Sequence, residues 1–256
     1  MNKVHEQRAR LPLEPAGPDF PYYAGNPPTL SGGGWLLVVV AVAAGFAALT
    51  VPLPFTDTLL TGWLRVAAFV LLPVAALGIA VPGNWRAIFG GVGGREIKLM
   101  FAFALTNIVI SFAIGAVIKA FGTTIGNASL ADAANMEGAR LFNFFMKVAP
   151  QMLGEELLTI LPFLAILALC HDRLGWSRKL SGLTAWLVSA IMFGLLHLPT
   201  YDWNLVQCLV VIGSARLVLT WAYVWTKNIW VSTGAHIIND WTLMSATIFL
   251  APLVTP

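Results

Sequence analysis

Charge is what this chain has least of. Asp, Glu, Lys and Arg together make up 11% of its 256 residues, against roughly 25% in soluble domains. That is too little to clothe a domain of this size in a water-facing surface, and it excludes an ordinary soluble globular protein. The basic residues, in excess to a formal charge of +3, stand singly between apolar runs and gather into no patch, which excludes a nucleic-acid interface. Cysteine is also nearly missing. Cys170 and Cys208 both lie in apolar stretches and read as small buried hydrophobes, so neither a disulfide framework nor a thiolate metal site is expected. The first cluster of charges is not followed by the short apolar core of a secretory signal peptide.

What the chain does have is hydrophobicity: 58% of its residues are apolar and the mean hydropathy is +0.78. Residues 1–33 stand apart, with Pro12, Pro15, Pro18, Pro21, Pro27 and Pro28 among charges and a run of glycines at the end, and they read as a disordered or surface-lying tail. Residues 34–256 read as one transmembrane helical domain. Seven apolar segments follow one another, approximately 35–50, 59–80, 99–121, 150–170, 181–198, 205–226 and 229–250, each near the roughly 20 residues a helix needs to cross the hydrocarbon. The expected fold class is therefore all-α, a polytopic membrane bundle of about seven transmembrane helices, with six to eight allowed by the two shortest segments. Residues 129–149, apolar and charged by turns, read either as an amphipathic helix lying in the interface or as an upstream extension of the fourth crossing.

Basic residues set the orientation. With the N-terminus cytoplasmic, the inner segments carry Lys3, Arg8, Arg10, Arg86, Arg95, Lys98, Arg173, Arg178, Lys179 and Lys227, and the outer ones only Lys119, Arg140 and Lys147. Ten against three favours an inside N-terminus. Arg65 lies near a segment end and can snorkel; Arg216, deep in the sixth segment, has no such escape.

Ionisable groups inside apolar segments are the chemically informative residues, because at membrane depth each costs several kcal/mol unless it faces a partner or a wet cavity. Glu155 and Glu156 lie in the fourth segment, about 100° apart around a helix axis, so they cannot serve the same purpose. Phe193 and His197 stand four residues apart on the fifth, sharing a face. His236 and Asp240 repeat that spacing on the last, with Asn239 beside them. Any one of these has a bland reading, an interfacial histidine or a structural ion pair. Together they point to an enzyme in a membrane.

In order and spacing these residues resemble the family of CAAX prenyl proteases and bacteriocin-processing enzymes (CPBP, or Abi), multi-helix intramembrane proteases with a Glu-Glu-x-x-x-Arg motif, then Phe-x-x-x-His, then His-x-x-x-Asn/Asp. Glu155-Glu156 matches the first, Phe193 to His197 the second and His236 to Asp240 the third, over roughly residues 150–245. One departure is plain: Ile160 stands where the pattern has arginine. Arg216, from another segment, is expected to supply the missing charge by pairing with Glu156 or Asp240.

The resemblance implies an intramembrane endopeptidase acting on a membrane-associated peptide or a prenylated protein, in a multi-pass protein of a bacterial cell membrane. Glu155 with His197 would activate a water, and His236 with Asp240 would hold the scissile carbonyl and its oxyanion, with Glu156, Phe193, Asn239 and Arg216 in support. Glu155, His197 and His236 also make a possible zinc triad, so both a metalloprotease and a metal-free glutamate-type enzyme stay open. The competing class is a non-catalytic member acting in bacteriocin self-immunity or as a scaffold, which Ile160 favours. A proton-coupled transporter would call for two pseudo-repeated halves that the sequence does not show. One tension remains in this reading. The segment boundaries put Glu155 and His197 toward the outer side and His236 about two turns from the inner end, so either the sixth segment breaks near Gly213-Ser214 or the helix ends are displaced.

Overall fold

The structure, a computed structural model, describes residues 10–24, 29–52, 58–122 and 124–250. Among them there are α-, 3₁₀- and π-helices and no strands. The long helices are α1 (Gly32–Thr50), α2 (Leu59–Ala80), α3 (Gly94–Phe121), then a short α4 (Ala128–Ala133), α5 (Gly138–Ala168), α6 (Arg178–Leu196), α7 (Gly213–Thr226) and α8 (Ile229–Ser245). Six spans among the described residues are long and apolar enough to cross a membrane: α1, α2, residues 94–120 of α3, α5 with its π-helical end to Arg173, α6, and residues 207–226, where a π-helix leads into α7. The seventh expected segment becomes α8, 17 residues long, which passes into a π-helix over Ala246–Leu250.

Two expectations about element ends resolve here. Of the two readings of residues 129–149, the upstream extension holds from Gly138, because α5 runs unbroken through 31 residues. The sixth segment does not break at Gly213-Ser214. It enters as a π-helix over Gln207–Ile212 and continues as α-helix from Gly213.

The chain folds into two compact units. The first contains residues 1–91, 153–189 and 223–230; the second contains 92–152, 190–222 and 231–256.

In the first unit α1 and α2 pack as an antiparallel pair. Ser31 caps α1, its hydroxyl accepting from the Gly34 N–H at 3.0 Å, and Thr58 and Thr61 form a reciprocal capping box at the start of α2. Arg65 lies across the end of α1, donating to the Ala48 carbonyl at 3.0 Å and to that of Val51, two of the carbonyls a helix end leaves without partners. At Gly154 of α5 the ring of Phe69 comes so close that a Cβ would lie 2.3 Å from Cδ1. Glycine at 154 thus lets α5 approach α2 one residue before Glu155.

Of the N-terminal segment, residues 1–9 and 25–28 lie outside the described residues, and in 10–24 Leu11, Phe20, Tyr22 and Tyr23 are buried. The reason is a charge cluster that spacing along the sequence does not reveal. Arg178 Nη1 and Nη2 donate to the two oxygens of Glu14 at 2.9 and 2.7 Å, Arg178 also holds Asp19, and Lys227 Nζ donates to Glu14 at 2.7 Å. The Phe20 ring lies under both cations, 5.3 Å from the Arg178 guanidinium carbon and 3.9 Å from Lys227 Nζ. Tyr22 donates to the carbonyls of Asn84 and Trp85. Burial alone would raise the Glu14 carboxyl; hydrogen bonds from Arg178 and Lys227 outweigh it and hold the group down at about 2. Burial in turn lowers Lys227, against the pull of Glu14.

In the second unit α3 presents Phe101, Leu105, Val109 and Phe112 outward, a stripe at helical spacing suited to lipid. Its opposite face buries Phe103, Ala104 and one amide, Asn107. Gln207, at the start of the π-helix, braces the stretch after α3: its side chain both accepts from the Ile125 N–H and donates to the Ile125 carbonyl, each at 2.8 Å. Cys170 and Cys208 are free and buried, as small hydrophobes should be.

Candidate active site

The motif residues fall in both units. Glu155 and Glu156 belong to the first; Phe193, His197, Arg216, His236, Asn239 and Asp240 belong to the second.

In the second unit, α6 ends one residue before His197, whose backbone (φ −91°, ψ −1°) turns into a 3₁₀ helix over Leu198–Tyr201 with Pro199 in its first turn. Proline cannot continue an α-helix, so the sequence itself places His197 at a helix end. Its Nδ1 lies 2.8 Å from the Phe193 carbonyl. A carbonyl only accepts, so Nδ1 carries a proton and, in the neutral ring, Nε2 is the acceptor. Between them, at Gly194, a Cβ would stand 2.6 Å from the Cys208 carbonyl oxygen. Glycine at that position allows α6 to lie against the π-helix.

Phe193 is the centre of the cluster. Its ring lies 4.4 Å from the His197 ring, 6.5 Å from the His236 ring and 5.1 Å from the Arg216 guanidinium carbon. The separation expected between His197 and His236 is therefore corrected: both imidazoles border one phenyl ring. The sequence-drawn segment ends were displaced, because hydropathy does not register the 3₁₀ turn after His197 or the π-helix before Gly213.

On α8, His236 and Asn239 are buried and Asp240 is part-exposed. His236 Nε2 stands 3.7 Å from Asp240 Oδ1, and Asn239 Nδ2 donates to the same oxygen at 2.8 Å. Asn239 Oδ1 accepts from Asn107 Nδ2 at 3.1 Å. Sequence reasoning passed over Asn107. The signal available was a lone amide within a crossing of apolar residues. Asp240 takes these contacts from its own helix. Arg216 is fully buried against Phe193, with Nε 3.3 Å from Thr220 Oγ1.

In the first unit Glu156 is fully buried and Glu155 half-buried, the difference that adjacent positions on one helix dictate. Thr159 donates to the Glu155 carbonyl at 3.0 Å. Ile160 is completely buried among Leu157, Leu161, Phe163 and Leu164, an apolar setting for the position where the resembling pattern has a cation.

Among the described residues no group of three or more His, Cys, Asp or Glu side chains is gathered so as to hold a metal ion.

Residues 137–242 match the family model described as type II CAAX prenyl endopeptidase Rce1-like, a stretch that includes every motif residue from Glu155 to Asp240. No curated protein and no solved structure matches the chain.

Proposed function

Starting from the premise that residues 137–242 form a region of the Rce1-like family of type II CAAX prenyl endopeptidases, we propose that the chain is an intramembrane endopeptidase acting on a membrane-associated prenylated peptide or protein. Membership of that family supports a protease in kind. The observation that carries the reading to this chain is the grouping of His197 and His236 about the single ring of Phe193, with Asp240 Oδ1 3.7 Å from His236 Nε2.

In this reading Glu155 takes a proton from the attacking water, the role its motif has in the resembling family, and His197 is an accessory hydrogen-bonding group. The hydroxide adds to the scissile carbonyl, and the oxyanion that forms is met by a ring N–H of His236, beside Asp240. Collapse of the tetrahedral intermediate breaks the C–N bond, and the proton held by Glu155 passes to the leaving amine. Glu156 and Arg216 serve as buried supports. Processing of a bacteriocin leader would use the same groups on another peptide.

The test is cleavage of a prenylated CAAX peptide by the full-length protein in lipid nanodiscs, wild type against Glu155→Gln. The substitution keeps shape and removes the base, so activity should fall by roughly two to four orders of magnitude with the protein still folded. Equal cleavage by both would exclude Glu155 as the base. Absence of cleavage by the wild type would favour a non-catalytic role, for which the buried Ile160 is the specific support.

A further inference from the structure

Between Leu99 and Ile118, α3 contains only three polar side chains, Thr106, Asn107 and Ser111. The Thr106 hydroxyl is taken by the Ala102 carbonyl of its own helix at 2.8 Å. Asn107 is different: it is 1% exposed, and its amide reaches across to another helix. A buried amide in an apolar helix is costly unless its hydrogen-bonding capacity is used. Asn107 nevertheless leaves Oδ1 buried without a hydrogen-bond partner and uses Nδ2 to hold Asn239.

That one bond has a directional effect. Asn239 has two ways to place its amide, oxygen or nitrogen toward Asp240. With Asn107 Nδ2 donating to Asn239 Oδ1, the nitrogen of Asn239 must face Asp240, where it donates to Oδ1 at 2.8 Å. The opposite placement would set two oxygens against each other. Asp240 Oδ1, held in this way, is the oxygen 3.7 Å from His236 Nε2. A chain of polar contacts therefore runs from α3 to the histidine: Asp240, which only accepts, turns the nitrogen of Asn239 toward itself, and Asn107 holds the oxygen of Asn239 at the other end.

We propose that Asn107 is a positioning residue of this site: it fixes the amide of Asn239, which fixes the carboxylate of Asp240 against His236. It touches no reacting atom. Its catalytic consequence rests on the function proposed above, whereas its effect on His236 does not.

The experiment uses the full-length protein in nanodiscs with isotope-labelled histidine, the His236 ring resonances being assigned by their loss in His236→Gln. In Asn107→Leu those resonances should shift, and in the control Leu105→Ala, at an outward position on the same helix, they should stay. For cleavage of a prenylated CAAX peptide, Asn107→Leu should lower kcat about 10- to 100-fold, the scale of losing a group that orients a reacting one, at unchanged KM. Asn239→Leu should do the same, and the double variant should fall no further, because both remove one connection. Asn107→Ser, whose hydroxyl is too short to reach Asn239, carries the same expectations should the leucine variant not fold. Unmoved His236 resonances in Asn107→Leu or Asn107→Ser would overturn the proposal, whatever happens to kcat. Shifted resonances in a protein whose wild type cleaves nothing would uphold the positioning and reject the proposed function.

Discussion

Arg178 grips Glu14 through two parallel hydrogen bonds, 2.9 and 2.7 Å long, across 164 residues of sequence. The bidentate geometry is the strongest a guanidinium and a carboxylate can form, and both side chains are almost wholly out of water.

Breaking one side of such a buried pair typically costs about 3 to 5 kcal/mol. Glu14→Gln should therefore lower the thermal midpoint of the solubilised protein markedly, since it leaves Arg178 and Lys227 facing each other with less counter-charge. Removing a cation as well, in Glu14→Gln with Lys227→Met, should recover part of the loss. An unchanged midpoint in the single variant would show that the N-terminal segment is not held by this cluster.

The same carboxylate predicts a pH response. Its folded value, about 2, lies below the ordinary 4.5. A lowered carboxyl contributes its stability fully above the unfolded value and loses it as pH falls toward the folded one. The contribution of Glu14 should thus be intact at neutral pH and decline between about pH 4.5 and 2. Urea titrations across that window should show a stability loss in wild type that is much smaller in Glu14→Gln.

Phe193 should couple energetically to Arg216. A desolvated guanidinium over an aromatic face is worth about 2 kcal/mol. Phe193→Leu and Arg216→Met, measured singly and together by thermal unfolding, should therefore give a coupling of about 1 to 2 kcal/mol. Strict additivity would mean that the ring and the cation are neighbours without an interaction.

Gly194 offers a steric test. Its hypothetical Cβ meets the Cys208 carbonyl, which is backbone and cannot swing aside. Gly194→Ala should cost about 1 to 3 kcal/mol as overpacking. Because His197 lies three residues on, peptidase activity should fall more than the loss of folded protein accounts for. The measurement is activity per folded molecule, normalised by the unfolding curve.

The helices were legible because their cause is local: an apolar segment of the right length has few alternatives to a helix in lipid. The motif residues were legible because ionisable groups at depth are rare, and a spacing of four places Phe193 with His197, and His236 with Asp240, on one face. What the sequence concealed is cooperative. Glu14 reads as a solvated charge in a proline-rich arm until Arg178 and Lys227 are brought to it, and no periodicity links those three positions. Asn107 was hidden in another way, as a single uncharged amide among apolar residues, where ionisable groups drew the attention. The 3₁₀ turn after His197 and the π-helix over Gln207–Ile212 shift the register of side chains without changing hydropathy, so the meeting of the two histidines at Phe193 could not be read from segment boundaries.

The reach of Glu14 also sets a timetable for biosynthesis. Its partner Lys227 lies 213 residues later, and at about 5 to 20 residues per second the ribosome needs on the order of 10 to 40 s to deliver it. Through that interval the arm bearing Leu11, Phe20, Tyr22 and Tyr23 has no completed berth, and it docks fully only once Lys227 has been made. A nascent chain stalled before Lys227 would display this arm to proteases, and cleavage ahead of α1 in such stalled chains, absent from the finished protein, would be its signature.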